Sequence, residues 1–98
     1  MVNSKGYTGR KSGIGTTAVQ ITSQSIKAGV GMTIYADTGN SGTLYVGFSE
    51  NITADNSDNT DGFPVAAGAA LDINIRNIER VYIIASTGSA NKVWWIVN

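Results

Sequence analysis

Glycines, cations and hydroxyl side chains are concentrated in residues 9–17, GRKSGIGTT. This mixture is typical of loops that hold phosphate through backbone N–H groups and a lysine. A Walker loop, however, requires glycine at the positions that Lys5 and Arg10 occupy ahead of Lys11. The pattern G-x-G-x-x-A that begins at Gly13 requires a following helix, and the residues after it alternate as in a strand. The stretch is therefore interpreted as a basic, glycine-rich arm and not as a nucleotide site.

A second stretch with possible chemistry is acidic: residues 55–62 read DNSDNTDG. Its carboxylate and amide oxygens are of the kind that calcium prefers. An EF-hand loop beginning at Asp55 would need glycine and glutamate where the chain has Thr60 and Ala66. A calcium loop of another kind stays open, but Asp, Asn and Ser are also ordinary loop residues. We interpret the stretch as a solvated acidic loop and predict no metal site.

The residues that most often carry catalysis are missing from this chain. It contains no cysteine and no histidine, which excludes a conventional zinc site, a cysteine nucleophile and a Ser-His-Asp triad. Carboxylates are present, but no sequence feature places two of them in one cleft, as glycoside hydrolysis would require. We predict a protein that is not an enzyme, with no catalytic residues and no cofactor.

Length and charge narrow the class of protein further. The chain has 98 residues, enough for a single domain, and its seven basic and seven acidic side chains cancel. A net charge near zero argues against dedicated binding to nucleic acid or to a membrane surface. The N-terminus lacks the apolar core of a secretory signal, and no apolar run approaches the roughly 20 residues of a membrane helix. We expect a soluble product made in the cytoplasm.

Hydrophobic residues alternate with a period of two along most of the chain, which indicates β-strands. The alternating or apolar segments are residues 17–23, 32–36, 44–48, 71–76, 81–85 and 93–97. We predict an all-β fold, a single antiparallel β-sandwich of about 6–8 short strands. A jelly-roll, an immunoglobulin-like sandwich and a small barrel stay open. Residues 1–15 are predicted to be a flexible arm and residues 16–98 the sandwich domain.

The last two strands are apolar on both faces, so the second face of each must be covered by the chain's own N-terminal arm or by another subunit. Residues 87–91 have the length and composition of a hairpin link between them. Alternation separates two sets of side chains. The predicted core set is Val81, Ile83, Val93, Trp95 and Val97. The predicted interface set, on one face of the hairpin, is Tyr82, Ile84, Trp94 and Ile96. The opposite assignment stays open because the register of the strands is not fixed by sequence.

Four segments of the sequence follow one another in an order that resembles the sequences of a known class of proteins. They are LYVGFS at residues 44–49, GFPVAAG at 62–68, IERVYIIAS at 78–86 and KVWWI at 92–96. This order resembles the small all-β structural proteins of tailed-bacteriophage virions, which include capsid decoration (cement) proteins and head-fibre or tail-associated domains. The resemblance extends over roughly residues 17–97 and contains no catalytic signature.

The resemblance implies a virion structural protein, most simply a decoration protein that binds the outer capsid surface and stabilises the lattice. The expected partners are the major capsid protein and further copies of the chain, as a trimer or dimer. The alternative is a tail- or fibre-associated module that binds a receptor or a carbohydrate. Because Lys5, Arg10 and Lys11 are the cations of the arm, we expect them to contact acidic groups of the partner.

Overall fold

The computed structural model describes residues 7–29 and 31–97, and its regular structure there is almost entirely β. Eight strands and one turn of 3₁₀ helix, Ile78–Arg80, make up this structure. The strands are β1 (Tyr7–Ile14), β2 (Val19–Gln20), β3 (Met32–Ala36), β4 (Leu44–Gly47), β5 (Phe63–Val65), β6 (Ala70–Ile73), β7 (Tyr82–Ala85) and β8 (Asn91–Val97). The predicted all-β class is confirmed.

The strands form two antiparallel sheets of four strands each. The first sheet has the order β1-β8-β3-β6 and the second has the order β2-β7-β4-β5. Alternate side chains of both sheets point inward and form one continuous core of apolar residues. This arrangement confirms the predicted β-sandwich.

Strand pairing is nested: β1 pairs with β8, β2 with β7, β3 with β6 and β4 with β5. The chain therefore folds as one long antiparallel ribbon whose tip is the loop between β4 and β5, rolled into two sheets. An eight-stranded, two-sheet roll of this kind is a jelly roll. The immunoglobulin-like alternative has a different strand order, and the two separate sheets of the described residues do not form a single barrel.

The N-terminal segment differs from the prediction. Residues 7–14, which the sequence analysis assigns to a flexible arm, form β1 and pair with β8 as the edge strand of the first sheet. Only Ile14 of this strand is buried. A strand at an edge is held by backbone hydrogen bonds, so it needs no alternation of apolar side chains. Residues 1–6, including Lys5, lie outside the described residues.

The predicted C-terminal hairpin is wrong, because β7 lies in the second sheet and β8 in the first. The link between them crosses from one sheet to the other, as do all consecutive connections except that between β4 and β5. The residues of a turn determine how tightly the chain reverses direction. Whether the two strands then pair in one sheet or lie in two facing sheets depends on how their side chains pack in the core. As a result, Tyr82 and Ile84 belong to a different sheet from Trp94 and Ile96.

The predicted core set of side chains is confirmed. The inward-facing residues of the last two strands are all buried, with Trp95 the most accessible of them at 8%. The members are Val81, Ile83, Val93, Trp95 and Val97. Alternation thus assigned the correct parity to both strands even though their pairing was predicted wrongly.

Candidate binding face on the first sheet

The outer face of the first sheet carries a row of three large side chains. Trp94 of β8 is the register partner of Arg10 in β1 and of Tyr35 in β3. Directly opposed residues of antiparallel strands project from the same face of a sheet. Arg10, Trp94 and Tyr35 therefore stand side by side across three strands, with the tryptophan in the middle.

A second row of side chains runs parallel to the first on the same face, two residues away along each strand. It consists of Thr8, Ile96 and Thr33, again from β1, β8 and β3. The two rows border an open groove with a volume of about 520 Å³. We call the six side chains of these rows the binding face: Thr8, Arg10, Thr33, Tyr35, Trp94 and Ile96.

Large apolar side chains on this face are left open to solvent. Trp94 is 41% exposed, Ile96 is 53% exposed and Tyr35 is 38% exposed. Scattered exposed apolar residues need no explanation, but neighbouring ones on a flat sheet mark an interaction surface. These three side chains form one exposed group, which makes this face a candidate interaction surface.

Two contacts hold the Trp94 ring in place. Its indole N–H donates a hydrogen bond to Oδ1 of Asp37 at 3.1 Å. The guanidinium carbon of Arg10 lies 5.4 Å from the ring centroid, within the range of a cation–π interaction. An aromatic side chain that is already fixed loses less conformational entropy when it binds a partner.

Asp37 is itself positioned and kept ionised. The hydrogen bond from the Trp94 indole is the main reason why the pKa of the Asp37 carboxyl lies below its usual range. The backbone N–H of Gly39, 2.9 Å from Oδ2, lowers this pKa further, as does the charge of Lys92. The Asp37 backbone N–H donates to the Lys92 carbonyl at 3.2 Å, which fixes the start of the β3–β4 link against β8.

We predict that the Trp94 indole senses the ionisation of Asp37. Because the folded-state pKa is depressed, the charged contact is complete above the usual aspartate value of about 3.9 and is lost only as the pH falls through the lower folded value. In a pH titration by NMR, the Trp94 Nε1–H resonance should therefore shift with a midpoint below about 3.9.

The Asp37→Asn variant is the matched control for this titration. Its amide oxygen can still accept the indole N–H, but it has no proton to gain in this range. The Trp94 resonance should then stay constant, and the buried Trp95 resonance should stay constant in both proteins. A midpoint at or above the value of a free aspartate would contradict the assigned contact.

The structure brings together only part of the predicted site. Arg10, Trp94 and Ile96 lie on the binding face, whereas Lys11 is the register partner of Val93 and projects from the opposite face of β1. Ile84 is buried at 7% exposure and lines a hollow together with Thr53, Ala54 and Asn56, so little of its surface is open to a partner. Tyr82 is half-buried on the second sheet.

Three members of the binding face were missed from the sequence: Thr8, Thr33 and Tyr35. Asp37, which holds Trp94, was missed as well. Tyr35 occupies an outward position between buried Ile34 and Ala36, so alternation alone placed an aromatic residue in solvent. That signal was available, but its meaning depended on the register that puts Tyr35 beside Trp94. The contact between Asp37 and Trp94 spans 57 residues of chain, and no local pattern predicts it.

In the acidic loop, the carboxylate of Asp61 is occupied by hydrogen bonds from nearby residues of the chain. Asp61 accepts hydrogen bonds from the Thr53 hydroxyl at 2.6 Å and from the backbone N–H groups of Asn56 at 2.9 Å and Ser57 at 3.0 Å. These donors, the threonine first, lower the pKa of the Asp61 carboxyl. Within residues 7–29 and 31–97, no three acidic side chains converge as ligands for a metal ion. The loop is organised by its own donors.

Comparison with protein-family models, with curated proteins and with solved structures finds no match to this chain. The resemblance to virion proteins therefore stays a prediction. None of the helical structure in the part of the chain described here has the length and apolar character to cross a membrane.

Proposed function

We propose that this protein is a non-catalytic structural protein that docks onto a protein assembly through the binding face. Following the resemblance, the assembly is a bacteriophage capsid, and the protein acts on its exterior as a decoration protein. The observation that carries the proposal is the row of Arg10, Trp94 and Tyr35, exposed on one face of the first sheet beside Ile96.

The residue types in this row are those that dominate protein interfaces. Tryptophan, tyrosine and arginine account for most interface positions at which truncation strongly weakens binding. Here they project from the backbone of a four-stranded sheet, and Trp94 is held by Asp37 and Arg10 before any partner arrives. A fixed aromatic anchor flanked by threonine hydroxyls provides an apolar centre with a polar rim.

Stabilisation of a lattice would follow from docking across subunit boundaries. A copy that contacts two capsid subunits adds buried area at the junction where the lattice is under tension. Association of the protein into a dimer or trimer that matches a capsid symmetry axis would multiply these contacts without requiring a high affinity per copy. The major capsid protein and further copies of the chain are thus the proposed partners, and the virion exterior is the proposed location.

The proposal is tested by adding purified protein to undecorated capsids and measuring saturable binding and capsid melting temperature. We expect stoichiometric binding that raises the melting temperature. The Trp94→Ala variant should bind at least about 30-fold more weakly, which corresponds to about 2 kcal/mol for a hot-spot residue.

Tyr45→Ala is the matched control, because Tyr45 is a half-buried aromatic residue that alternates with buried Leu44 and Val46 in the second sheet. It removes an aromatic ring from the opposite outer face of the sandwich and should leave capsid binding unchanged. Equal losses in the two variants, or no binding by the unaltered protein, would contradict docking through the binding face.

One observation favours the second candidate function, a tail- or fibre-associated module that binds carbohydrate. Trp94 and Tyr35 are neighbouring aromatic side chains, and the ionised Asp37 and the Arg10 guanidinium lie beside them as hydrogen-bonding groups. Sugar rings stack on aromatic faces while their hydroxyls bind such polar groups. Jelly rolls serve as both capsid and lectin domains, so the fold is compatible with either function. Binding to host-cell glycans without binding to capsids would favour this candidate.

A further inference from the structure

Strand β1 leaves one edge of the first sheet open. It pairs with β8 on one side and, among the described residues, has no neighbouring strand on the other. Most of its eight residues are exposed. An edge strand with unpaired backbone N–H and C=O groups is a template for a further strand.

This edge is basic on both faces of the sheet. Arg10 and Lys11 are consecutive, so their side chains project from opposite faces of β1. Their register partners on β8 are Trp94 and Val93, neither of which carries a charge. An added strand would therefore lie beside two cations, one on each face of the sheet.

The length of the usable edge is set by a break in the strand. Pairing with β8 is regular from Tyr7 to Lys11 and shifts register before Ile14. Gly13, within this irregular part, has a φ of 68°, a left-handed conformation that interrupts an extended strand. The regular part spans about 17 Å, enough for a partner segment of about five residues.

We propose that the edge of β1 binds a short, acidic, extended segment of the partner protein as a fifth strand of the first sheet. This inference rests on the proposed function, because it names the chemistry of the partner next to the binding face. Backbone hydrogen bonds would supply the pairing, and carboxylates on the added strand would contact Arg10 and Lys11.

Charge argues for a foreign acidic strand over a second copy of β1. In a symmetric antiparallel pair of the segment Tyr7–Lys11, Arg10 lies opposite Thr8 of the other copy and Lys11 opposite Tyr7, so neither cation faces a carboxylate. The two Arg10 side chains are then diagonal neighbours on one face, where like charges repel and do not stabilise the pair. Basic side chains on an edge are also a common protection against self-association. The same two cations therefore disfavour a symmetric pair and select an acidic segment.

The test uses the full chain and a capped seven-residue peptide with two adjacent central glutamates flanked by valine or threonine, so that one carboxylate projects from each face of the added strand. Amide hydrogen exchange, followed residue by residue by NMR, reports where the peptide binds. We expect the amides of residues 7–11 that point away from β8 to exchange at least about tenfold more slowly with saturating peptide. The amides of β6, at the other edge of the sheet, should be unaffected.

Two matched controls define the role of charge. Lys11→Glu should weaken peptide binding by about fivefold or more, whereas Arg76→Glu, the same charge change at an exposed residue outside the strands, should have no effect. Raising the salt concentration from 50 to 500 mM should also weaken binding. A peptide with lysine in place of glutamate should not protect β1.

Several outcomes would overturn the proposal. They are equal binding of the acidic and basic peptides, protection confined to another strand, and slow exchange in β1 that appears without peptide together with a doubled molecular mass. The last result would identify a second copy as the occupant. Peptide binding at β1 in a protein that does not bind capsids would refute the proposed function alone, and capsid binding without peptide binding would refute only the added strand.

Discussion

The Trp95→Ala variant is expected to lose about 3–5 kcal/mol of unfolding free energy, as large core truncations do. Trp95 is 8% exposed on the inner face of β8, and a Cβ atom on Gly9 of the paired strand would collide with its indole ring. Removal of the ring leaves a cavity against β1, since glycine has no side chain to fill it. For a domain that is stable by about 5–15 kcal/mol, this loss is a large fraction of the total.

The contrasting variant is Trp94→Ala, one position along the same strand. Because Trp94 is 41% exposed on the outer face, its removal should change the unfolding free energy by less than about 1 kcal/mol. Urea denaturation of both variants, followed by circular dichroism, provides the comparison. If the Trp94 variant were the unstable one, the inner and outer faces of β8 would be exchanged.

Trp95→Phe separates the volume of this side chain from its polar atom. The Trp95 indole nitrogen is buried and has no hydrogen-bond partner among the described residues. Phenylalanine retains most of the apolar bulk and removes this unsatisfied donor, so it should cost much less than alanine. An equal loss in the two variants would show that the indole nitrogen has a partner that stabilises it.

The strand content of the fold was predictable because the inward positions of β3, β4 and β8 alternate with outward ones. The edge strand β1 was not, since its pairing depends on backbone groups and its side chains are mostly exposed. The order in which the strands pair could not be predicted from the sequence either. The segments that contain β7 and β8 are close in sequence and both apolar, but the nested pairing of the roll places them in different sheets.

The same distinction applies to the candidate site. Parity along β8 correctly separated Trp94 from Trp95, and it placed Ile96 with Trp94. The identity of their neighbours depended on register across three strands, which brings Arg10 and Tyr35 to the two sides of Trp94. Local periodicity thus predicts which residues are exposed, whereas long-range pairing decides which exposed residues form a surface.

A second large loss, about 3–5 kcal/mol of unfolding free energy, is expected for Asn91→Ala. Asn91 is completely buried, and its side chain joins three segments at one end of the sandwich. Its Oδ1 accepts the backbone N–H groups of Ser41 and Gly42 at 3.0 and 3.2 Å. Its Nδ2 donates to the carbonyls of Ile14 and Thr87, both at 2.9 Å. Alanine would leave all four backbone groups without these partners.

Asn59→Ala is the matched control, because Asn59 is an exposed residue of the acidic loop, and it should change the unfolding free energy by no more than about 0.5 kcal/mol.

Asn91→Asp tests the direction of the hydrogen bonds. An aspartate there could still accept from Ser41 and Gly42, but its charge would face two carbonyl oxygens. Its pKa should therefore be raised, and the defect should be smallest below the unfolded-state pKa and complete above the folded-state value.

Asn91 also connects the core to the binding face. The β3–β4 link that it holds begins at Asp37, whose carboxylate fixes Trp94, and Asn40 of this link exchanges two hydrogen bonds with the Lys92 backbone. In Asn91→Ala at a temperature where the protein is still folded, the Trp94 Nε1–H resonance should therefore respond less to the ionisation of Asp37. An unchanged titration in a destabilised protein would show that Lys92 and Asn40 hold the link without Asn91. A stability loss below about 1 kcal/mol would mean that water replaces the four hydrogen bonds of the asparagine side chain.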